Sequence, residues 1–109
     1  MATLCVYALG RLCVLYDQTP LTFPTKKTQH LLCLLLLHAG ETLNRELIAE
    51  RLWPMCLPGK ARRCLSTTLW RLRKTLERHC SSAQPRVLAE DSTLAFNTST
   101  PYWFDVQAF

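Results

Sequence analysis

Seven cations fall between Lys60 and Arg78: Lys60, Arg62, Arg63, Arg71, Arg73, Lys74 and Arg78. A single acid, Glu77, shares the segment, which therefore carries +6. The other six bases and seven acids of the 109-residue chain sum to −1. Side chains of one sign at this density neutralise anions. DNA phosphate is the fitting class, because displacing its counterions supplies most of the sequence-independent affinity. A guanidinium can also bond guanine bidentately, and Ser or Thr hydroxyls can donate to phosphates or base edges. The competing readings are an acidic protein partner and a merely solvated face. A solvating face normally mixes both signs for i,i+4 pairs, and this one has a single acid.

The cations need a helix to align them. Pro58 suits the first position of one, and the run to His79 has helical periodicity. At 100° per residue, Ala61, Leu65, Thr68, Leu69, Leu72 and Leu76 form one buried stripe. Lys60, Arg63, Thr67, Trp70, Arg71, Lys74 and Arg78 fall opposite, with Arg62, Ser66 and Arg73 flanking. The first turns should enter a groove most deeply, so Lys60, Arg63 and Thr67 are the expected base-reading residues. Trp70 has two open readings, packing against a neighbouring hairpin or facing the nucleic acid. Trp53 reads as a core plug.

Other chemistry is poorly supplied. His30, His38 and His79 have no acid at a telling spacing, and no Ser, Cys or Lys sits in a nucleophile motif. Three glycines form no phosphate-cradling loop. No enzyme, catalytic residue or cofactor is expected. Of six cysteines (Cys5, Cys13, Cys33, Cys56, Cys64, Cys80), no pair is spaced CxxC and no His stands at a zinc-finger offset. They read as reduced thiols, with a disulfide or zinc framework as the alternative and no metal expected. The longest apolar run, Leu31 to Leu37, is far short of the roughly 20 residues that span a bilayer. No signal peptide is recognisable, so a cytoplasmic chain without a membrane partner is expected.

Length fits one domain. Residues 4–9 and 12–16 read as strands joined by a turn at Gly10–Arg11, then a turn at 17–20 and a brief strand at 21–23 stopped by Pro24. Thr25 can cap a helix over 26–38, apolar nearly all round and hence central, which Gly40 stops. After a link at 41–43, Asn44 can cap a second helix with Leu47, Ile48 and Leu52 on one face, ended by Pro54. A loop from Trp53 to Leu57 precedes the basic helix. A flexible connector, 81–85, then leads to a hairpin, 86–97, a polar exit at 98–101 and the apolar YWFDVQAF.

This order of elements resembles the OmpR/PhoB-type winged helix. More narrowly, the chain is similar to the N-terminal DNA-binding domain of SARP/AfsR-like regulators. The matching residues are AGETLNRELIAERLWP (39–54), ARRCLSTTLWRLRKTLE (61–77) and VLAEDSTLAFN…YWFDVQAF (87–109). The implied fold class is α+β: a winged helix-turn-helix with an N-terminal antiparallel sheet (1–24), a three-helix core (25–79) and a β-hairpin wing (86–97). Residues 98–109 would begin a junction to a downstream bacterial transcriptional activation domain.

By this resemblance the chain binds double-stranded DNA, on direct repeats as a head-to-tail dimer, within a bacterial transcriptional activator. Helix 59–79 lies in the major groove, with Lys60, Arg62, Arg63, Ser66, Thr67, Trp70, Arg71 and Lys74 as contacts. Met55, Cys56 and Leu57 face RNA polymerase. Trp70 stands where a polar or basic residue is usual. The wing tip carries Glu90 and Asp91 and no base, which leaves Ser92 and Thr93 as its DNA contacts. A competing function is a protein-interaction module on the same scaffold, without specific DNA binding.

Overall fold

A computed structural model describes residues 3–8, 12–79 and 85–108. Strand β1 (Leu4–Tyr7) pairs antiparallel with β2 (Cys13–Tyr16), Leu4 opposite Tyr16 and Tyr7 opposite Cys13. Alternation turns Leu4, Val6, Val14 and Tyr16 into the core. The expected turn at Gly10–Arg11 lies outside the described residues. Asp17 and Gln18 both take positive φ, 51° and 66°, the left-handed pair of a type I′ hairpin turn. They lead into β3 (Thr19–Pro20), where Pro20 sits on an edge strand that can spare its missing donor. The third strand is therefore at 19–20 and not at 21–23. Leu21 and Phe23 still bury, but from irregular backbone.

Helix α1 (Lys26–Leu37) is capped by Thr25, whose Oγ1 accepts from the Thr28 amide at 3.2 Å. Leu31, Leu32, Leu35 and Leu36 are fully buried, which makes α1 the centre of the core. Three residues past its end, Gly40 takes φ 89° in a turn closed by the Glu41 amide donating to the His38 carbonyl at 2.9 Å. The segment expected as a plain link contains β4 (Leu43–Asn44). Asn44 then caps α2 (Arg45–Leu52), its Oδ1 accepting from the amides of Glu46 at 2.8 Å and Leu47 at 3.3 Å. Within α2, Ile48, Ala49 and Leu52 are buried, whereas Leu47 is 65% exposed. Leu47 lies 100° from Ile48 on the side away from Ala49 and Leu52, so it cannot share their face.

Helix α3 (Pro58–His79) packs on both α1 and α2. After it come β5 (Val87–Ala89), β6 (Thr93–Phe96), β7 (Tyr102–Phe104) and a single turn, α4 (Asp105–Ala108). Residues 81–84 of the expected connector are outside the described residues. The hairpin β5–β6 gains β4 as a third strand, in the order β4-β6-β5. The other sheet runs β3-β2-β1-β7 and is mixed rather than antiparallel, because β7 lies parallel to β1. Residues 102–104, expected at the start of a junction, thus complete the N-terminal sheet. Phe104 is buried, and the Asp105 carboxylate accepts from the Ala8 amide at 2.8 Å.

Arg86 joins the two sheets. It is buried, its Nη1 donates to the Pro101 carbonyl at 2.8 Å, and its guanidinium lies 5.3 Å from the Tyr16 ring centre. Burial, with the Asp105 carboxylate adding to it, raises the Cys33 thiol above its ordinary value. A raised thiol pKa means less thiolate at neutral pH and slower alkylation. Cys13 is exposed. Timed alkylation with peptide mass mapping should label Cys13 well before Cys33, and equal rates would show that Cys33 is not shielded.

Candidate nucleic-acid interface

The fold leaves one side of α3 uncovered. Ala61, Leu65, Thr68, Leu69, Leu72, Thr75 and Leu76 face the core, while Lys60, Arg62, Arg63, Ser66, Thr67, Trp70, Arg73, Lys74 and Arg78 are exposed. With 22 residues, α3 is about 33 Å long, enough to follow a groove through several base pairs. The helix buries its polar Thr75 by returning its hydroxyl to the Arg71 carbonyl at 2.8 Å.

The charge distribution works against the helix itself. Lys60, Arg62 and Arg63 occupy the first two turns, no acid lies in the first turn, and Leu57 before it has no side-chain oxygen to cap it. Cations at this end are opposed by the helix dipole, by roughly 0.3–1 kcal/mol each at exposed positions. The same arrangement adds cationic side chains to the positive end of the dipole, which concentrates anion attraction there. At the other end Arg78 and His79 are favourably placed.

The cations divide by position. Arg63, Thr67, Trp70 and Lys74 lie along the middle of the outward face. On one flank a cleft is lined by Arg45, Ser66, Leu69, Trp70, Arg73, Lys74 and Glu77. It continues past Arg62 to Asn44, Glu46, Asp91 and Ser92 at the wing. Arg62 is drawn to this side and pairs with Glu46 at 3.6 Å. On the other flank Lys60, Arg63, Thr67 and the half-buried Arg71 border Thr25, Lys27 and Trp53. The Lys27 ammonium donates to the Leu52 carbonyl at the end of α2 and lies 5.7 Å from the Trp53 ring centre. This holds α1 to α2 and seats Trp53 half-buried against the core, as expected of a plug.

Trp70 does not pack on the hairpin. It is 61% exposed, with the Lys74 ammonium 5.9 Å from its ring centre. Lys74 in turn pairs with Glu77 at 3.8 Å.

The wing is short and tied back. Glu90 donates its amide to the Thr93 carbonyl at 3.0 Å, closing a tight tip, and the Arg45 amide donates to the Ser92 carbonyl at 3.0 Å. Thr93 is half-buried opposite Asn44, so Ser92 is the more accessible of the two expected wing contacts. The one base of the hairpin, Arg86, is turned inward. In the loop before α3, Met55 is 96% exposed and Leu57 is 79% exposed, whereas Cys56 is half-buried against the core.

Two cations absent from the expected set, Arg45 and Arg73, line the same cleft as Trp70. The Arg45 Nε is buried with no hydrogen-bond partner. Arg45 follows the Asn44 cap, and a cation immediately inside a capped helix start was the available signal. Arg73 was visible as a flanking residue of α3.

A family model described as "Transcriptional regulatory protein, C terminal" matches residues 19–90, from β3 through the three main helices to the wing tip. No curated protein and no solved structure matches the chain.

Proposed function

We propose, given that the chain belongs to the transcriptional regulatory protein C-terminal family of OmpR/PhoB-type DNA-binding domains, that it binds a specific duplex sequence by laying α3 in the major groove. The observation that carries this reading is the strongly cationic outward face of α3, with Glu77 as its single acid, which the rest of the fold leaves open. Lys60, Arg63 and Thr67 read bases from the first turns, where a recognition helix goes deepest. Ser66, Arg71 and Lys74, with Arg45 and Arg73, hold the flanking phosphates. Arg62 contributes less than its neighbours, since Glu46 already offsets its charge. The wing adds little beyond Ser92.

The narrower reading is a SARP/AfsR-like activator that binds direct repeats head to tail. The bare Met55 and Leu57 side chains, with Cys56 between them, supply an apolar contact for RNA polymerase. Binding should be tested by titrating duplex DNA at several salt concentrations. Each phosphate neutralised contributes about −0.9 to the slope of log K against log salt, so a slope of several units is expected. A flat plot would rule the reading out.

The acidic wing tip and the bare loop favour a second reading, a protein-interaction module. In that case charge reversal at Arg63 and Arg71 would abolish binding to an acidic partner and leave behaviour toward DNA unchanged.

A further inference from the structure

We propose that Trp70 is a specificity-determining residue that reads the C5 methyl group of a thymine. The inference rests on the DNA-binding reading above and adds a base preference to it. Trp70 stands in the middle of the outward face, one turn after Thr67 and one turn before Lys74, and it is 61% exposed. A bare indole there gains nothing from phosphates that the neighbouring cations do not supply better. The edges of the base pairs in the major groove are hydrogen-bonding groups with one apolar exception, the thymine methyl. An indole surrounded by cations can bury its surface on that methyl while Arg63 and Lys74 take the charged contacts to either side. The Lys74 ammonium beside the ring steadies its orientation before binding. Thr67, exposed one turn earlier on the same face, also carries a methyl group, so adjacent thymines would suit the pair.

The test is selection of bound sequences from random duplexes with this chain, followed by replacement of each selected thymine with uracil, which pairs identically and lacks the methyl. At one or two positions uracil should weaken binding about three- to fivefold, the effect of burying one methyl group. Placing 5-methylcytosine·guanine at the same position should bind better than cytosine·guanine by a similar factor. The Trp70→Arg variant should still bind duplex DNA but lose the distinction between thymine and uracil at that position. Thymine and uracil bound equally at every position would overturn the inference and leave DNA binding standing. The same thymine dependence in Trp70→Arg would assign the methyl contact elsewhere and also overturn it. No duplex bound at any salt concentration would overturn the DNA-binding reading, and this inference with it.

Discussion

Arg63→Ala should lower affinity for the selected duplex roughly 5- to 150-fold, the range of a good bidentate base contact. Arg63 is exposed near the start of α3, where dipole and neighbouring cations add to the same positive field. Arg62→Ala should cost distinctly less, although it removes the same group one residue away. The Arg62 guanidinium already lies 3.6 Å from the Glu46 carboxylate, so a phosphate must compete for it. By the same argument Glu46→Gln should strengthen binding severalfold at low salt, with the gain fading as salt rises. Affinity titrations of the three variants at two salt concentrations check this. Equal losses for the two arginines would mean that the ion pair with Glu46 does not persist. Removing a cation from the first turns of α3 should also leave unfolding stability unchanged or slightly raised, because the dipole opposes it. Loss of binding through unfolding would reverse that sign.

Phe104→Ala should destabilise the domain by about 3–5 kcal/mol, a large share of the roughly 5–15 kcal/mol typical of a domain. Phe104 is 2% exposed on β7, opposite Val6, more than ninety residues away in sequence. Its truncation leaves a cavity where the first and last strands meet. Trp103→Ala on the same strand should cost less, about 1–3 kcal/mol, since Trp103 is 39% exposed and gives up partial burial together with its ring contact with Tyr7 at 5.0 Å. Denaturant unfolding of both variants measures the difference. Similar values would mean that β7 does not complete the core.

The helices were legible in the sequence because each carries its own punctuation. Thr25 and Asn44 cap as expected, Gly40 takes the left-handed position of the turn that follows α1, and the apolar stripe of α3 is the buried one. The strands were less legible where pairing is remote or the turn unusual. The Asp17–Gln18 turn holds two non-glycine residues at positive φ, a geometry usually announced by Asn-Gly, so the third strand reads at 21–23 instead of 19–20. Two residues at 43–44 show no alternation, and they become a strand only because β6 lies alongside. Residues 102–104 look like an apolar exit until β1 is placed beside them. At the interface, the outward residues of α3 follow from periodicity alone. That Glu46 reaches Arg62, or that Arg45 enters the Trp70 cleft, depends on how α2 crosses α3, which no local pattern records.

The parallel pairing of β1 with β7 has a mechanical meaning. The chain enters at the start of β1 and leaves from the end of β7, so a pull on the two termini acts along the strands in opposite directions. Such a load is shared by the whole ladder, from Leu4 opposite Tyr102 to Val6 opposite Phe104, instead of opening its bonds one at a time as in a hairpin pulled from its ends. Tension arriving through a tethered neighbour would meet this clasp first.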